Sequence, residues 1–196
     1  MVTLHHFTNP LWLAERGGWE NPRVIGWFTR FVERAVSALS DLCSLWCTIN
    51  EPMVYITYGY LNGVWPPGSK EPRAALRAIA RLRRAHVAAY GVIHEEASGA
   101  RVGLAHAIRL ATPATRRLRD LAAARWLDVV FNRRFLDLPQ DYIGLNYYTR
   151  DVVSLSPRNA GELFTARAVA PGAEVSDLGW EIHPEGLGVV LRSLAR

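Results

Sequence analysis

The chain has 196 residues, 49% of them hydrophobic and 21% charged, with a formal net charge of +5. That is room for one domain with a real core, or for part of a larger one, and the composition is ordinary for a globular protein. No run reaches the ~18 apolar residues of a membrane span, and the opening Met1–Phe7 has no basic leader followed by an apolar core, so no signal peptide is read and a cytoplasmic location is expected.

In chain order, Val2–Phe7 reads as a buried strand that starts at once, which suggests a missing upstream part. Asn21-Pro22 suits a cap and first turn, and the helix after it runs to about Leu39 with apolar positions Ile25, Phe28, Val32, Ala35, Val36 and Leu39. Leu45–Asn50 is the next strand, followed by a long aromatic loop through Tyr55, Tyr58, Tyr60 and Trp65-Pro66-Pro67-Gly68. Pro72 starts a helix to about Ser98, with Leu76, Ile79, Ala80, Val87, Tyr90 and Ile93 as its expected apolar side and Gly99 as its end. Arg101–Ile108 is a third strand, Thr112-Pro113 precedes a helical stretch to about Leu136, and Asp141–Tyr148 is a fourth strand. Residues 150–178 read as loop, and Pro184–Arg196 as a last helix.

Strands alternating with helices call for parallel βα units. Loops are long after the strands and short before them, which suits a barrel whose active face is built from the βα loops. A complete barrel needs eight strands and ~250 residues, so this is an α/β chain forming a partial (β/α)8 barrel of about four βα units, taken as one domain over residues 1–196.

The positive charge lies mainly in arginines between Arg73 and Arg84 and between Arg116 and Arg134. They are interleaved with Ala and Leu at helical spacing, which reads as solvated helix faces rather than a nucleic-acid surface. Cys43 and Cys47 are four apart; two ligands do not make a metal site, and reduced thiols are expected. No cofactor, metal, nucleic-acid or membrane partner is expected.

The chemistry sits at strand ends. Trp46-Cys47-Thr48-Ile49-Asn50-Glu51-Pro52 places a carboxyl at the mouth of a buried strand with an amide beside it. Glu51 suits proton donation to a glycosidic oxygen, and Asn50 suits a sugar hydroxyl; a helix cap or a buried ion pair are the plain alternatives for Glu51. His6 and Phe7 end the first strand, suited to a sugar hydroxyl and a sugar ring face, or to nothing more than one core and one surface histidine for His5 and His6. Asn146 and Tyr148 alternate onto one face of the fourth strand, where a phenol can hold a carboxylate or merely fill a corner. Seven tryptophans and seven tyrosines suit stacking on sugars, although most belong to a core.

Taken together, these segments resemble glycoside hydrolase family 1, the retaining β-glucosidases and β-glycosidases. Val2–Leu13 with Gly17-Gly18-Trp19 is similar to the family's third strand and loop. Thr48-Ile49-Asn50-Glu51-Pro52 resembles its acid/base signature at strand four, and Gly59-Tyr60 to Trp65-Pro66-Pro67-Gly68 the loop after it. Arg101–Ala105 resembles strand five, Asp141–Thr149 strand six, and Leu178–Leu187 the lead into helix six. The resemblance implies Glu51 as acid/base, Asn50 on the 2-hydroxyl of a β-glucoside, His6 and Phe7 on the same sugar, Tyr148 orienting the nucleophile and Asn146 lining the pocket. It gives Glu181 and Glu185 no catalytic role.

Departures from the pattern are as specific. The family's nucleophile lies in a Thr-Glu-Asn-Gly type motif that these 196 residues do not contain. Strands one, two, seven and eight have no counterpart, the link from Phe135 to Asp141 looks short, and Met1 resembles an internal methionine. A truncated frame or excised fragment is expected, with negligible turnover alone. Four strands leave bare edges, so a homodimer or a complementing chain is expected to close the barrel.

Overall fold

The computed structural model describes residues 1–195; Arg196, the expected end of the last helix, lies outside them. The chain groups into two units, Met1–His106 with Asp137–Gly144, and Ala107–Leu136 with Leu145–Arg196.

The first unit carries a four-stranded sheet. Strands β1 (Val2–His5), β2 (Leu45–Asn50), β3 (Arg101–Ala107) and β5 (Tyr142–Asn146) lie side by side in that order, the last residues of β3 and β5 passing into the second unit. β1, β2 and β3 pair in parallel. This is the partial α/β barrel arrangement expected, left open at β1 and β5. From Trp46 to Asn50 every residue of β2 is buried, as a central parallel strand covered on both faces requires.

Helix α1 (Leu11–Glu15) precedes helix α2 (Val24–Leu39), which buries Val24, Phe28, Val32 and Val36, one residue per turn. Helix α4 (Pro72–Glu96) packs along it, after the short α3 (Pro52–Ile56) and a single π turn over Thr57–Leu61. The buried face of α4 differs from the expected one: Leu76 and Val87 are exposed, and Ala74, Ala75, Ala78, Ile79, Leu82, Ala85, Ala89 and Ile93 are inside. Alanine offers no bulk to mark a face in the sequence, yet it lets two helices approach closely, and that close packing decides the rotation of α4.

The link into β5 is held by one polar stripe of α4. Arg83 binds both carboxylate oxygens of Asp137 at 2.7 Å, the His86 Nε2–H donates to the Pro139 carbonyl at 2.7 Å, and Tyr90 and His94 meet Asp141 at 2.7 and 2.9 Å. Positions 83, 86, 90 and 94 follow the three-four spacing of a single helix face. Asp141 also accepts the backbone N–H of Val102 at 2.7 Å, which sets the register of β5 against β3. Gly103 completes the fit, because a Cβ there would strike the carbonyl and ring of Tyr142.

The second unit corrects the reading of residues 150–178 as loop. β4 (Leu110–Pro113) pairs in parallel with β6 (Arg150–Leu155), which pairs antiparallel with β7 (Thr165–Ala168). The connection from β6 to β7 ends in Leu163 and Phe164, both at positive φ (59° and 61°), although Asn159 and Gly161 stand just before them. Helix α5 (Leu118–Leu127) runs into a π turn over Asp128–Asn132, shorter than the helix expected to Leu136, and α6 (Glu185–Leu194) closes the described chain.

Candidate active site

β1 stops at His5 rather than Phe7, so His6 and Phe7 stand on the first residues beyond the strand. His5 is buried and His6 exposed. Phe7 takes φ 67°, a left-handed conformation uncommon for a bulky residue. At the end of β2, Glu51 does the same with φ 44° and ψ 58°. Two adjacent parallel strands thus end in left-handed, non-glycine residues, the kind of local strain that clusters at functional sites.

A bulge explains how the second of these is aimed. Cys47 pairs with Gly103, but Asn50 pairs with Ala105, so β2 spends one more residue than β3 over that span. The extra residue re-aims the end of β2 and brings the Glu51 N–H to the Ala105 carbonyl at 2.7 Å. Glu51 is 5% exposed. Its carbonyl accepts from Val54 and Tyr55, so it holds the cap position of α3, yet its carboxyl makes no capping hydrogen bond. Capping, one of the plain alternatives for this residue, is therefore not what its side chain does.

Asn50 and His6 come together: the Asn50 amide N–H donates to His6 Nε2 at 3.2 Å, which leaves that ring its proton on Nδ1. The His6 ring meets Phe7 edge-on at 4.9 Å, Phe7 leans on Trp65 at 5.0 Å, and Trp65 stacks on Tyr58 at 4.7 Å. Trp65 and Tyr58 were no more than loop aromatics in the sequence, and the Trp-Pro-Pro-Gly turn was the signal that they stand near strand ends. A cavity of about 450 Å³ opens among Phe7, Asn9, Tyr55, Tyr60 and Trp65. Burial pushes the Tyr55 and Tyr60 phenols up, so both are neutral hydroxyls.

Behind this wall lies a network that no motif announced. Asn9 donates to the Tyr55 hydroxyl at 2.8 Å, while its oxygen accepts from Trp19 Nε1 at 3.1 Å and faces His5 Nε2 at 3.3 Å. Burial holds His5 down to about 4, so its ring is neutral.

Asn146 and Tyr148 belong to the second unit and are described there alone. β5 ends at Asn146, whose carbonyl accepts the N–H of Ile108 at 3.1 Å. Tyr148 lies two residues past the strand, is 52% exposed and meets Trp180 edge-on at 5.6 Å, so the expected strand to Tyr148 is too long. Buried carboxyls of this unit are bound in place: Asp151 by Arg109 at 2.9 Å, Glu181 by Arg150 and the Ala170 N–H, and Asp120 by the Thr115 hydroxyl at 2.5 Å. Desolvation raises Glu181, but the Arg150 hydrogen bond, the Ala170 N–H and the Arg150 charge outweigh it and hold the carboxyl below its usual range. Among the described residues no three His, Cys, Asp or Glu gather as metal ligands, and no helix is long and apolar enough to cross a membrane.

Comparison with known proteins gives the family and the fold. The profile of Glycosyl hydrolase family 1 matches residues 1–138. β-Glucosidase A of Acetivibrio thermocellus is 28% identical over 228 aligned positions, covering 100% of this chain and 51% of its own length. A β-galactosidase of Pyrococcus woesei is 31% identical, with 95% and 49% covered. Both alignments run longer than the chain, so these relatives carry residues within the span that this chain lacks. Among solved structures, a β-glycosidase from Pyrococcus horikoshii superposes with a TM-score of 0.90 at 33% identity, covering 100% of this chain and 50% of that one. A β-glucosidase from Thermotoga maritima in complex with glucoimidazole gives 0.88 at 27%, covering 99% and 50%. The chain spans about half the length of the relatives it matches. It belongs to glycosyl hydrolase family 1.

Proposed function

We propose that this chain carries the acid/base half of a retaining β-glycosidase site for terminal β-linked glucose or galactose, with Glu51 as the proton donor. The observation that carries this reading is the end of β2: a buried carboxyl in a left-handed conformation, aimed by a bulge, next to an amide bonded to an imidazole. Family membership supports the chemistry, and the strained backbone supports the residue.

In the first step the Glu51 carboxyl gives its proton to the glycosidic oxygen as the C1–O bond breaks and a second carboxylate bonds to C1. In the next, the Glu51 carboxylate takes a proton from a water whose oxygen attacks C1, and the second carboxylate leaves. Asn50 and His6 bind hydroxyls of the sugar, and Phe7 offers it an apolar face. Asn146 and Tyr148 keep the roles that the resemblance gives them.

The second carboxylate has to stand ~5–5.5 Å from the first. No Thr-Glu-Asn-Gly motif occurs in the 196 residues, and Asp151, Glu181 and Asp120 are tied to their own partners. The isolated chain is therefore expected to bind a β-glucoside weakly and turn it over negligibly. Hydrolysis of an aryl β-glucoside and binding of glucoimidazole, each measured beside Glu51→Gln, test this. Binding without hydrolysis that Glu51→Gln weakens supports it; hydrolysis unaffected by Glu51→Gln overturns it.

Nucleic-acid binding gains no support from the arginines. Arg77, Arg83, Arg125 and Arg133 are engaged with Glu20, Asp137 and Asp128.

A further inference from the structure

His6 and Phe7, the two residues past β1 assigned to the sugar, sit on a sharply bent backbone. The Thr8 N–H donates to the His6 carbonyl at 2.8 Å across Phe7, whose φ is 67°. A hydrogen bond to the second residue back, closed over a positive φ, makes a γ-turn of the rare, strained hand. Such a turn persists only where its surroundings over-determine it. No glycine eases this one, since residues 5–9 read His-His-Phe-Thr-Asn.

One side chain closes the turn at its base. Asn9 follows it and reaches back to its start, with Oδ1 3.3 Å from Nε2 of the buried His5, the last residue of β1. Residues 6–8 are thereby bracketed between two side chains that touch. The amide itself is oriented from outside the turn. Trp19 Nε1 can only donate, so the atom it meets at 3.1 Å is the oxygen, and His5 Nε2, facing the same oxygen, bears the ring proton. The amide N–H then goes to the Tyr55 hydroxyl at 2.8 Å. Trp19 and Tyr55 are both buried, which makes them firm posts. Tyr55 belongs to α3, and its backbone N–H donates to the Glu51 carbonyl at 3.2 Å. A single amide thus ties the left-handed turn after β1 to the helix that begins at the left-handed Glu51.

We propose that Asn9 is a positioning residue of the acid/base half-site, acting through His6: it holds the turn at Phe7 so that His6 Nε2 stays 3.2 Å from the Asn50 amide. Its functional meaning rests on the reading of His6 and Asn50 as sugar-binding residues, but the hydrogen bond it controls is present without sugar. That bond has a signature of its own. An imidazole free in water favours its proton on Nε2, whereas an Nε2 that accepts from Asn50 leaves the proton on Nδ1.

Nitrogen-15 NMR of the ring nitrogens at alkaline pH, with the His6 signals assigned by their loss in His6→Gln, reads this tautomer in the purified chain. The Nδ1–H form is expected to dominate in the unaltered chain and the Nε2–H form in Asn9→Ala. Asn9→Asp is expected to restore Nδ1–H, because its two oxygens can accept from Trp19, His5 and the Tyr55 hydroxyl. Tyr55→Phe deletes one buried hydroxyl that anchors the amide and is expected to give a mixture of the two forms; it carries the test where Asn9→Ala does not fold. A network that only stabilises the fold lowers the urea midpoint of Asn9→Ala and leaves the His6 tautomer unchanged, and that result overturns the proposal. Dominant Nε2–H in the unaltered chain overturns it too. Glucoimidazole titration of the same variants separates the two readings: a shifted tautomer with unchanged affinity keeps Asn9 as the residue that positions the turn and removes His6 from the sugar site.

Discussion

In the second unit the buried carboxyls of Asp151 and Glu181 each meet an arginine, and Asp120 a hydroxyl; in the first unit the buried carboxyl of Glu51 follows a bulge, on a strained residue, beside an amide and an imidazole. All four are comparably hidden from water. Burial of an acid is thus no mark of function by itself. Glu181 is placed as a structural charge is placed, with a matched partner and a backbone donor, and its neighbours hold it ionised. Glu51 is placed where the backbone is bent to present it.

The contrast breaks first at Arg150. Replacing it with Ala strands a buried carboxylate, and urea unfolding is expected to show a loss of about 3–5 kcal/mol, with most of it recovered when Glu181→Met is paired with Arg150→Met. A small loss in the single variant would mean that Glu181 is no structural ion pair.

Acid comes next. Burial lowers His5 and His106 to about 4 and lowers His86 as well. Their folded pKa values lie below the unfolded one, so the unfolded chain binds more protons between about 6.5 and 4. Stability is therefore full above pH 6.5 and is lost as pH falls toward 4, by roughly 3 kcal/mol for each histidine held down to about 4. Asp141 and Glu181, held low by their hydrogen-bond donors and cationic neighbours against the desolvation that raises them, continue the loss below pH 4. Urea midpoints at pH 7 and pH 5 check the sign, and His106→Gln is expected to flatten the slope.

A smaller effect is expected at Gly103. Ala there drives a methyl into Tyr142, at a cost of about 1–3 kcal/mol in thermal unfolding. Smallest of all is Glu51→Gln, expected to move stability by no more than about 1 kcal/mol, because it keeps the shape and the backbone and alters the proton donor alone.

Much of this was legible in advance. β2 and Glu51 could be read because an apolar strand ends abruptly at Asn-Glu-Pro, and α2 because Phe28, Val32 and Val36 keep a helical beat. Other features were hidden for physical reasons. The face of α4 is set by alanines, which carry no amphipathic signal. β6 and β7 are short, and their connection bends at Leu163 and Phe164 rather than at Gly161. The bulge in β2 arises from pairing with β3, a long-range event invisible in local sequence. Trp65 and Tyr58 read as loop, since only the fold brings them against Phe7. The Asn9 network joins residues up to 46 positions apart, and nothing in their spacing announces it.

Titration of the purified chain with glucoimidazole, repeated with Glu51→Gln and Glu181→Gln, reaches the central claim most directly. If Glu51 presents its proton to a saccharide pocket, binding is at least about tenfold weaker in Glu51→Gln, or about 1.4 kcal/mol, and unchanged in Glu181→Gln. Equal binding by Glu51→Gln and the unaltered chain would contradict it.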